Sequence, residues 1–250
     1  MQRMQDAFVP EYRKRIGEAL QVQFEAAAAA VAAGADPSAA VSANSKQLNQ
    51  AIASLYRNVM PHFAGKAYNA IQSSTKDFGD KQMSAWITAV ENWMMTKGSR
   101  KIAKMDAYSK QVIASIIANA WEIDPATGAR LGRLSAKETA RLIQSKFADM
   151  EKYRAERIAR TEITSASNWG HDQGAQSIAA DTGLRLQKVW ITAIDDVARA
   201  DHLAAHNQTV AADEDFIVGG VPLAFPGDPN ASDAGQIINC RCTHVHEVIE

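Results

Sequence analysis

Cysteine is scarce in this chain of 250 residues, which contains only Cys240 and Cys242. A disulfide between two cysteines one residue apart is strained, because the bond requires a narrow range of backbone geometry. The sequence therefore disfavours a disulfide scaffold, and a reduced or metal-bound pair is the more natural state.

Long apolar runs and a secretory leader are also absent from the sequence. No stretch of about 18 apolar residues occurs, so we expect no membrane-spanning helix and no membrane partner. The first six residues, Met-Gln-Arg-Met-Gln-Asp, lack the apolar segment of a signal peptide. These absences favour synthesis and use inside a cell, or inside a particle assembled there.

The common catalytic motifs are missing as well. The sequence has no nucleophile elbow, phosphate-binding loop or dinucleotide-binding fingerprint. His202 and His206 have the spacing of a metalloprotease pair, but Leu203 stands where that pattern needs a glutamate. We therefore expect a protein that is not an enzyme. The alternative is a metal-dependent hydrolase built from a cluster of acidic and histidine side chains, namely Asp195, Asp196, Asp201, His202 and His206.

The net charge of −1 is unevenly distributed along the chain. Residues 1–160 contain 23 basic and 15 acidic residues, a balance of +8, whereas residues 161–250 contain 4 and 13, a balance of −9. The asymmetry indicates two parts with different partners. The acidic part is a poor candidate for binding DNA phosphates.

Glycine and proline are sparse before residue 183, and the pattern there predicts helices almost throughout. The expected helices are one that ends near Gly34, one over 45–71 that Pro61 bends or interrupts, and two near 80–96 and 99–122. The second of these has an apolar face that we expect to be core, formed by Leu48, Ile52, Leu55, Val59 and Phe63.

A long helix is predicted after a turn at residues 124–128. Ser135 and Glu138 match a capping box, so the helix is expected to begin there and to run to about residue 181. Gly170 and Gly174 are candidate breaks in it.

Short runs of β-forming residues follow Gly183, separated by turn residues such as those at 219–220 and 226–230. The predicted fold class is therefore α+β. We expect a helical region over residues 1–150, joined by a long helix to a small, loop-rich α+β domain over residues 151–250.

Four features of the last hundred residues occur in a fixed order. They are residues 159–162 (Ala-Arg-Thr-Glu) on a helix, a strand with Lys188 and Trp190 that leads into Asp195, Arg199 and His202, a Pro-Gly-Asp-Pro segment at 226–229, and Asn-Cys-Arg-Cys at 239–242. Together they resemble the phage Mu F-like head-morphogenesis family, the minor capsid proteins of many tailed phages, over roughly residues 150–250.

The resemblance implies a structural, low-copy virion component at the capsid interior or near the portal, made in the host bacterial cytoplasm. It implies the portal protein and the major capsid or scaffold proteins as partners, with roles in head assembly and in DNA packaging or ejection. Domains of this family also occur fused to toxin domains. Because the sequence stops at Glu250, just past the signature, we expect no such cargo here.

A Cys-x-Cys pair with nearby histidine offers ligands suited to tetrahedral zinc. Cys240, Cys242 and His202 would be three ligands, and the fourth would be His206, His244 or Asp195. Arg199 stands where some relatives place a cysteine, and a guanidinium cannot bind a metal.

The alternative to zinc is a metal-free polar knot. In it, His202 and Arg199 hydrogen-bond to Asp195 and to loop carbonyls, and the cysteines are small buried apolar groups. Its predicted polar members are Asp195, Arg199, Asn239 and Arg241. In both alternatives, these residues would hold together a domain that is too small to rely on its hydrophobic core.

A basic stripe is predicted on the N-terminal helices. Lys97, Arg100, Lys101 and Lys104 have helical spacing. A solvated surface is the simpler interpretation, and contact with packaged double-stranded DNA or with an acidic portal surface is the alternative hypothesis.

Overall fold

The computed structural model describes residues 1–72 and 79–249. Helices make up most of the N-terminal part, as predicted. They are α1 (Gln2–Ala32), α2 (Pro37–Ala43), α3 (Lys46–Ile71), α4 (Asp80–Trp93), a π-helical turn (Met94–Gly98) and α5 (Ser99–Ala118). The first helix ends just before Gly34, whose φ of +73° suits glycine and stops a helix.

The predicted apolar face of α3 is core. Its side chains are all fully buried, namely Leu48, Ile52, Leu55, Val59 and Phe63. Pro61 lies inside α3, and the helix continues through it, so the predicted interruption does not occur.

A β-hairpin stands where the sequence predicted the end of a helix and a turn. Strand β1 (Trp121–Ile123) pairs antiparallel with β2 (Arg130–Arg133). The predicted turn joins them, and within it the N–H of Gly128 donates to the carbonyl of Asp124 at 2.8 Å. Helix α5 stops early because Asn119 caps it, and the β-forming residues that follow pair with β2 instead.

The long helix α6 (Ala136–Thr182) has 47 residues and begins at the predicted capping box. The N–H of Ser135 donates to Oε2 of Glu138 at 2.9 Å, and the N–H of Glu138 donates back to Oγ of Ser135 at 3.3 Å. These bonds satisfy amides that a helix start leaves free.

Gly170 and Gly174 do not break α6. They are instead the points where it approaches the backbone of α3. A Cβ added to Gly170 would lie 2.2 Å from the carbonyl oxygen of Met60, and one added to Gly174 would lie 2.0 Å from that of Ala64. The glycines lack a Cβ and so allow the two helices to lie closer than larger residues would permit.

The C-terminal part is the predicted small α+β region. Its elements are β3 (Arg185–Ile191), α7 (Ala200–Ala204), β4 (Thr209–Ala211), β5 (Phe216–Val218), β6 (Val221–Leu223), a 3₁₀ turn (Ala234–Gln236) and β7 (Thr243–Ile249). Strands β4, β3 and β7 form an antiparallel sheet in that order, with Trp190 opposite His244. Strands β5 and β6 form a separate hairpin. Together with the long N-terminal helices, this region confirms the predicted α+β class.

The described chain divides into two compact units, and single helices contribute residues to both of them. The first contains residues 1–12, 53–97 and 157–250, of which Glu250 is outside the described residues, and the second contains residues 13–52 and 98–156. The first unit has a cluster of buried residues around Trp190 and Phe216, and the second has Phe24 stacked on Phe147 with ring centres 4.4 Å apart. The domain boundary predicted between residues 150 and 151 stays a prediction.

No helix in the described parts of the chain has both the length and the apolar character that crossing a membrane requires.

Candidate metal centre

Buried polar side chains on one face of α6 hold the loops that carry the C-terminal motifs. Oγ1 of Thr164 donates to the carbonyl of Cys240 at 2.8 Å. The N–H of Asn239 donates to Oγ1 of Thr161 at 2.9 Å, and Asn239 adopts a φ of +55° to reach it. The cysteine segment is therefore attached to the helix on both sides of Cys240.

Asn168 is fully buried on the same face of α6. Its Nδ2 donates to the carbonyls of Pro226 and Cys242 at 3.0 Å and 3.1 Å, and it also lies 3.0 Å from the carbonyl of Thr164. One amide therefore joins the Pro-Gly-Asp-Pro segment to the cysteine segment.

The Pro-Gly-Asp-Pro segment forms a tight turn against α6. Gly227 has a φ of +83°, and a Cβ there would lie 3.1 Å from the backbone of Ser165. Asp228 is buried, and its carboxylate accepts from the N–H groups of Ala224 and Asn230 at 3.0 Å and 2.8 Å. Glycine allows the close approach, and the aspartate satisfies the amides of the turn.

The structure brings together His202 on α7 with Cys240 and Cys242 in the loop before β7. All three are buried, and one potential ligand atom of each lies within 4.8 Å of the others. Nδ1 of His202 lies 3.2 Å from Sγ of Cys242 and 3.7 Å from Sγ of Cys240. Both cysteines are free thiols, so no disulfide joins them.

A chain of hydrogen bonds fixes the other nitrogen of His202. The carboxylate of Asp201 only accepts, so the amide Nε2 of Gln236 donates to it at 2.9 Å, and Oε1 of Gln236 faces Nε2 of His202 at 3.0 Å. Nε2 of His202 therefore carries a proton, and Nδ1 offers its lone pair toward the sulfur atoms when the ring is neutral. Gly219 leaves room for this chain, since a Cβ there would lie 2.5 Å from Asp201.

The two thiols have very different acidities. Hydrogen bonding from Cys240 lowers the pKa of Cys242 to about 5. The hydrogen bond with Cys242 and burial raise the pKa of Cys240 well above its ordinary value. A thiolate at Cys242 is the form that binds metals.

The separations fit a metal site. With zinc bonds of about 2.3 Å to sulfur and 2.05 Å to nitrogen, tetrahedral ligands of the two kinds lie about 3.6 Å apart. The observed 3.2 Å and 3.7 Å bracket that value. They also suit sulfur–nitrogen hydrogen bonds, so the geometry fits the metal-free knot equally.

The three residues expected to supply a fourth ligand lie elsewhere. Nδ1 of His206 accepts from the N–H of Thr192 at 3.2 Å, and Asp195 pairs with Arg241. Nδ1 of His244 lies 3.3 Å from Oδ1 of Asn168, and His244 belongs to a different cluster. A shallow depression lined in part by His202, Cys242 and Arg199 leads from the surface to the cysteine cluster.

The predicted members of the polar knot make two separate ties. Asp195 binds both Nη atoms of Arg241 at 2.6 Å, which lowers the pKa of the carboxyl group. Nη2 of Arg199 donates to the carbonyl of Ile238 at 2.5 Å. Arg199 thus meets a loop carbonyl, as the knot hypothesis expected, whereas the partner of Asp195 is Arg241.

The acidic and histidine side chains proposed for a hydrolase do not gather into one site. Asp195 is held by Arg241, and Asp201 reaches His202 only through Gln236. The side chain of His206 is engaged with the backbone of Thr192. Asp196 lies on the exposed loop that follows Asp195.

The basic stripe lies on two elements. Lys97 is in the π-helical turn and donates to Oδ1 of Asn230 at 2.5 Å. Arg100, Lys101 and Lys104 follow on α5, where Arg100 and Lys104 are exposed and Lys101 is half-buried. The four residues are divided between the two compact units.

A second cluster, formed mainly by histidine residues, was not predicted from the sequence. His171 on α6 lies beside His244 and His246 on β7, with Asp172 next to them. Burial lowers the pKa of His171 to about 3 and lowers that of His244 well below its ordinary value, so both rings are neutral at pH 7.

Two sequence signals pointed to this second cluster. Residues 240–246 alternate cysteine or histidine with other residues, so Cys242, His244 and His246 share one face of the strand and its lead-in. Polar residues also recur at helical spacing on α6, where a long helix normally buries apolar ones: Thr161, Thr164, Asn168, His171 and Asp172.

Part of this sequence is similar to known proteins. The chain is 31% identical over 114 residues to the NAD(+)–arginine ADP-ribosyltransferase EFV of Enterococcus faecalis (strain ATCC 700802 / V583), a match that covers 46% of this chain and 23% of that protein. The chain thus spans about a quarter of the length of this relative. No solved structure gives a significant match. Residues 127–245 match the family described as Phage Mu protein F like protein, which is the family that the C-terminal motifs predicted.

Proposed function

We propose that this protein is a minor capsid protein of a tailed phage that acts in head morphogenesis. It would be a structural virion component at the capsid interior or near the portal. There it would contact the portal protein and the major capsid or scaffold proteins, and would assist DNA packaging or ejection. The observation that carries the proposal is the Mu F-like match over residues 127–245.

The use of the motif residues supports a structural role. Asn168 ties two motif segments to α6, Asp228 closes a turn, and Asp195 pairs with Arg241. Each of these side chains is engaged in holding loops, so these polar groups are not directed toward a substrate. We accordingly propose that the chain itself is not an enzyme.

The transferase named among its relatives does not alter this proposal. The shared segment has 114 residues, close to the 119 residues of the family match, and it covers only 23% of that protein. We infer that the shared segment is the Mu F-like domain, since domains of this family occur fused to toxin domains. Purified chain incubated with labelled NAD⁺ and an arginine substrate should transfer no ADP-ribose.

Particle composition tests the proposed location. Phage particles purified by gradient centrifugation should contain the protein together with the portal and major capsid proteins. It should resist added protease in intact particles and become sensitive once the heads are opened. A protein absent from particles, with heads that assemble normally when its gene is deleted, would contradict the proposal.

A second candidate function is DNA binding through the basic stripe. Arg100 and Lys104 are exposed on α5, which supports it. Affinity for duplex DNA should fall as salt rises, because each neutralised phosphate releases counterions. The matched variants are reversal to glutamate of Lys97, Arg100, Lys101 and Lys104, and reversal of four basic residues elsewhere: Lys46, Arg130, Arg133 and Lys137. DNA binding that ignores salt, or that both variants change equally, would reject this function.

We infer further that His202, Cys240 and Cys242 hold a structural zinc ion, with water or a partner side chain as the fourth ligand. The fixed proton on Nε2 and the two sulfur atoms near Nδ1 support this assignment. Elemental analysis of tag-free protein should find zinc, and replacing both cysteines by serine should lower the zinc content by one equivalent. Less than about a tenth of an equivalent, with stability unchanged in chelator, would favour the metal-free knot.

A further inference from the structure

The second histidine cluster lies between the middle of α6 and strand β7. His171 is 8% exposed and His244 is fully buried, and one ring nitrogen of each lies within 4.8 Å of one from His246. The rings of His171 and His246 stack with centres 5.3 Å apart, and the ring of His244 stands edge-on to both.

Three buried polar atoms of this cluster lack hydrogen-bond partners in the described structure. They are Oδ1 of Asp172, Nε2 of His244 and Nε2 of His246. Buried polar atoms nearly always have a partner, so three in one place require an explanation. Oδ1 of Asp172 lies 3.3 Å from Nε2 of His246 and 3.9 Å from Nε2 of His244, so one unpartnered carboxylate oxygen lies near both unpartnered ring nitrogens.

We propose that Asp172, His244 and His246 bind a divalent transition-metal ion of the zinc class through these three atoms. His171 is not among the ligands, because its Nδ1 lies 3.4 Å from Nδ1 of His246, the other nitrogen of that ring. Imidazole nitrogen with one carboxylate oxygen is a common donor set for such ions. With bonds of about 2.0–2.1 Å, tetrahedral nitrogen and oxygen ligands lie about 3.4 Å apart. The separation between Asp172 and His246 matches this, and the longer one to His244 needs a shift of about half an ångström.

The remaining atoms of the ligands are held as metal ligands usually are. Oδ2 of Asp172 accepts from Nε2 of Gln176 at 2.6 Å, and Nδ1 of His244 lies 3.3 Å from Oδ1 of Asn168. Such outer hydrogen bonds orient ligands and fix the tautomer. In His244 the bond assigns the proton to Nδ1, which leaves the unpartnered Nε2 with a free lone pair.

Lys188 is the group that opposes a cation here. It lies opposite His246 on β3, and its Nζ donates to the carbonyl of Ala224 at 2.8 Å. Repulsion from this ammonium weakens binding of a divalent ion, so Lys188→Met should tighten it.

Asp172 and His244 are buried and the side chain of His246 is shielded from solvent, so we infer that the role of the site is structural. It would join β7 to α6 in addition to the hydrogen bonds made by Asn168. His246 lies just beyond the matched residues 127–245, so the family match does not by itself account for the full ligand set. The site is also distinct in chemistry from the cysteine cluster, because it contains no sulfur.

Metal binding by variant proteins tests the proposal. Tag-free full-length protein is stripped with chelator and then titrated with Co²⁺ alone, and separately with Zn²⁺. The variant with both Cys240→Ser and Cys242→Ser should still bind one equivalent, and its cobalt spectrum should lack a thiolate charge-transfer band. Asp172→Asn or His246→Gln in that background should reduce binding to less than about a tenth of an equivalent.

His62→Gln provides the matched control, because His62 is an exposed histidine on α3 outside both clusters. It should leave the metal content unchanged. Circular dichroism and thermal unfolding must show that Asp172→Asn, the more conservative variant, remains folded. The proposal is overturned if the double serine variant binds no metal, or if Asp172→Asn and His246→Gln both leave its binding intact.

Discussion

Asn168 shows how much a single buried side chain contributes to this domain. Its amide meets carbonyls from two motif segments, and its oxygen faces His244. These partners are distant in sequence, so the sequence does not show what the side chain contacts. A fully buried asparagine in the middle of a long helix is nevertheless unusual, and it is retained where its hydrogen bonds are satisfied.

Asn168→Ala should destabilise the protein by about 1–3 kcal/mol for each carbonyl left without a donor. Chemical denaturation followed by tryptophan fluorescence gives the free energy of unfolding. Asn92→Ala, on the exposed side of α4, is the control and should change it by less than about 0.5 kcal/mol. Equal effects of the two changes would show that the carbonyl contacts of Asn168 contribute no stability.

At the scale of elements, α6 combines two kinds of contact on its C-terminal half. Polar side chains hold the loops and β7, and the glycines admit the backbone of α3. Gly170 and Gly174, which the sequence pattern suggested as breaks in α6, therefore mark its closest packing against α3. The distinction depends on what lies opposite each glycine, which the helix sequence alone does not contain.

Gly174→Ala should destabilise the protein although alanine is the better helix former. Alanine gains about 0.8–1 kcal/mol of intrinsic helix propensity, but its Cβ would lie 2.0 Å from a backbone carbonyl of α3, and such overpacking costs about 1–3 kcal/mol or more. A lower midpoint of thermal unfolding is expected.

Gly17→Ala is the matched control within a helix. Its Cβ would lie 2.4 Å from the end of the Glu151 side chain, which can move aside, and 3.6 Å from Cβ of Ala155, which is an ordinary contact. This variant should be as stable as the natural protein or more stable by up to about 1 kcal/mol. Stabilisation by both changes would mean that α3 and α6 can separate at little cost.

Ser135→Ala tests the start of α6. The change removes the hydroxyl that accepts from the N–H of Glu138, so we expect a loss of about 0.5–2 kcal/mol. Ser135→Asp, which keeps a capping oxygen, should retain most of the stability. Urea unfolding measures both, and a loss as large for aspartate as for alanine would argue against capping as the cause.

At the scale of the whole molecule, the fold class and several of the helix limits were accessible from sequence because they depend on local spacing. The apolar stripe of α3, the stop at Gly34 and the capping box at Ser135 are local signals. The hairpin of β1 and β2 was missed because its strands are only three and four residues long.

The sites were partly accessible from sequence. The spacing of Cys240 and Cys242 indicates a candidate ligand pair, and His202 lies near them, as the sequence predicted. His206, His244 and Asp195 were the candidates for a fourth ligand, yet the fold directs them to Thr192, Asn168 and Arg241. His171 and Asp172 were missed because only the pairing of α6 with β7 brings them to His244.

Metal removal should affect the stability of the whole protein. A ligand that binds only the folded state at 100 times its Kd stabilises it by about 2.7 kcal/mol. Chelator treatment should therefore lower the thermal midpoint, and added zinc should restore it. The combined variant Cys240→Ser, Cys242→Ser and Asp172→Asn should show no response to chelator or zinc, and a response equal to that of the natural protein would rule out both metal sites.

The position of β7 in the sheet also determines when the domain can form during synthesis. β3 is the central strand, and its partner on one side is β7, which supplies His244 and His246 and follows directly after Cys242. Until the ribosome has made β7, one long edge of β3 stays unpaired and the histidine cluster lacks His244 and His246. A nascent or truncated chain would therefore expose a strand edge that can recruit other chains, so aggregation should increase in proteins shortened before residue 243.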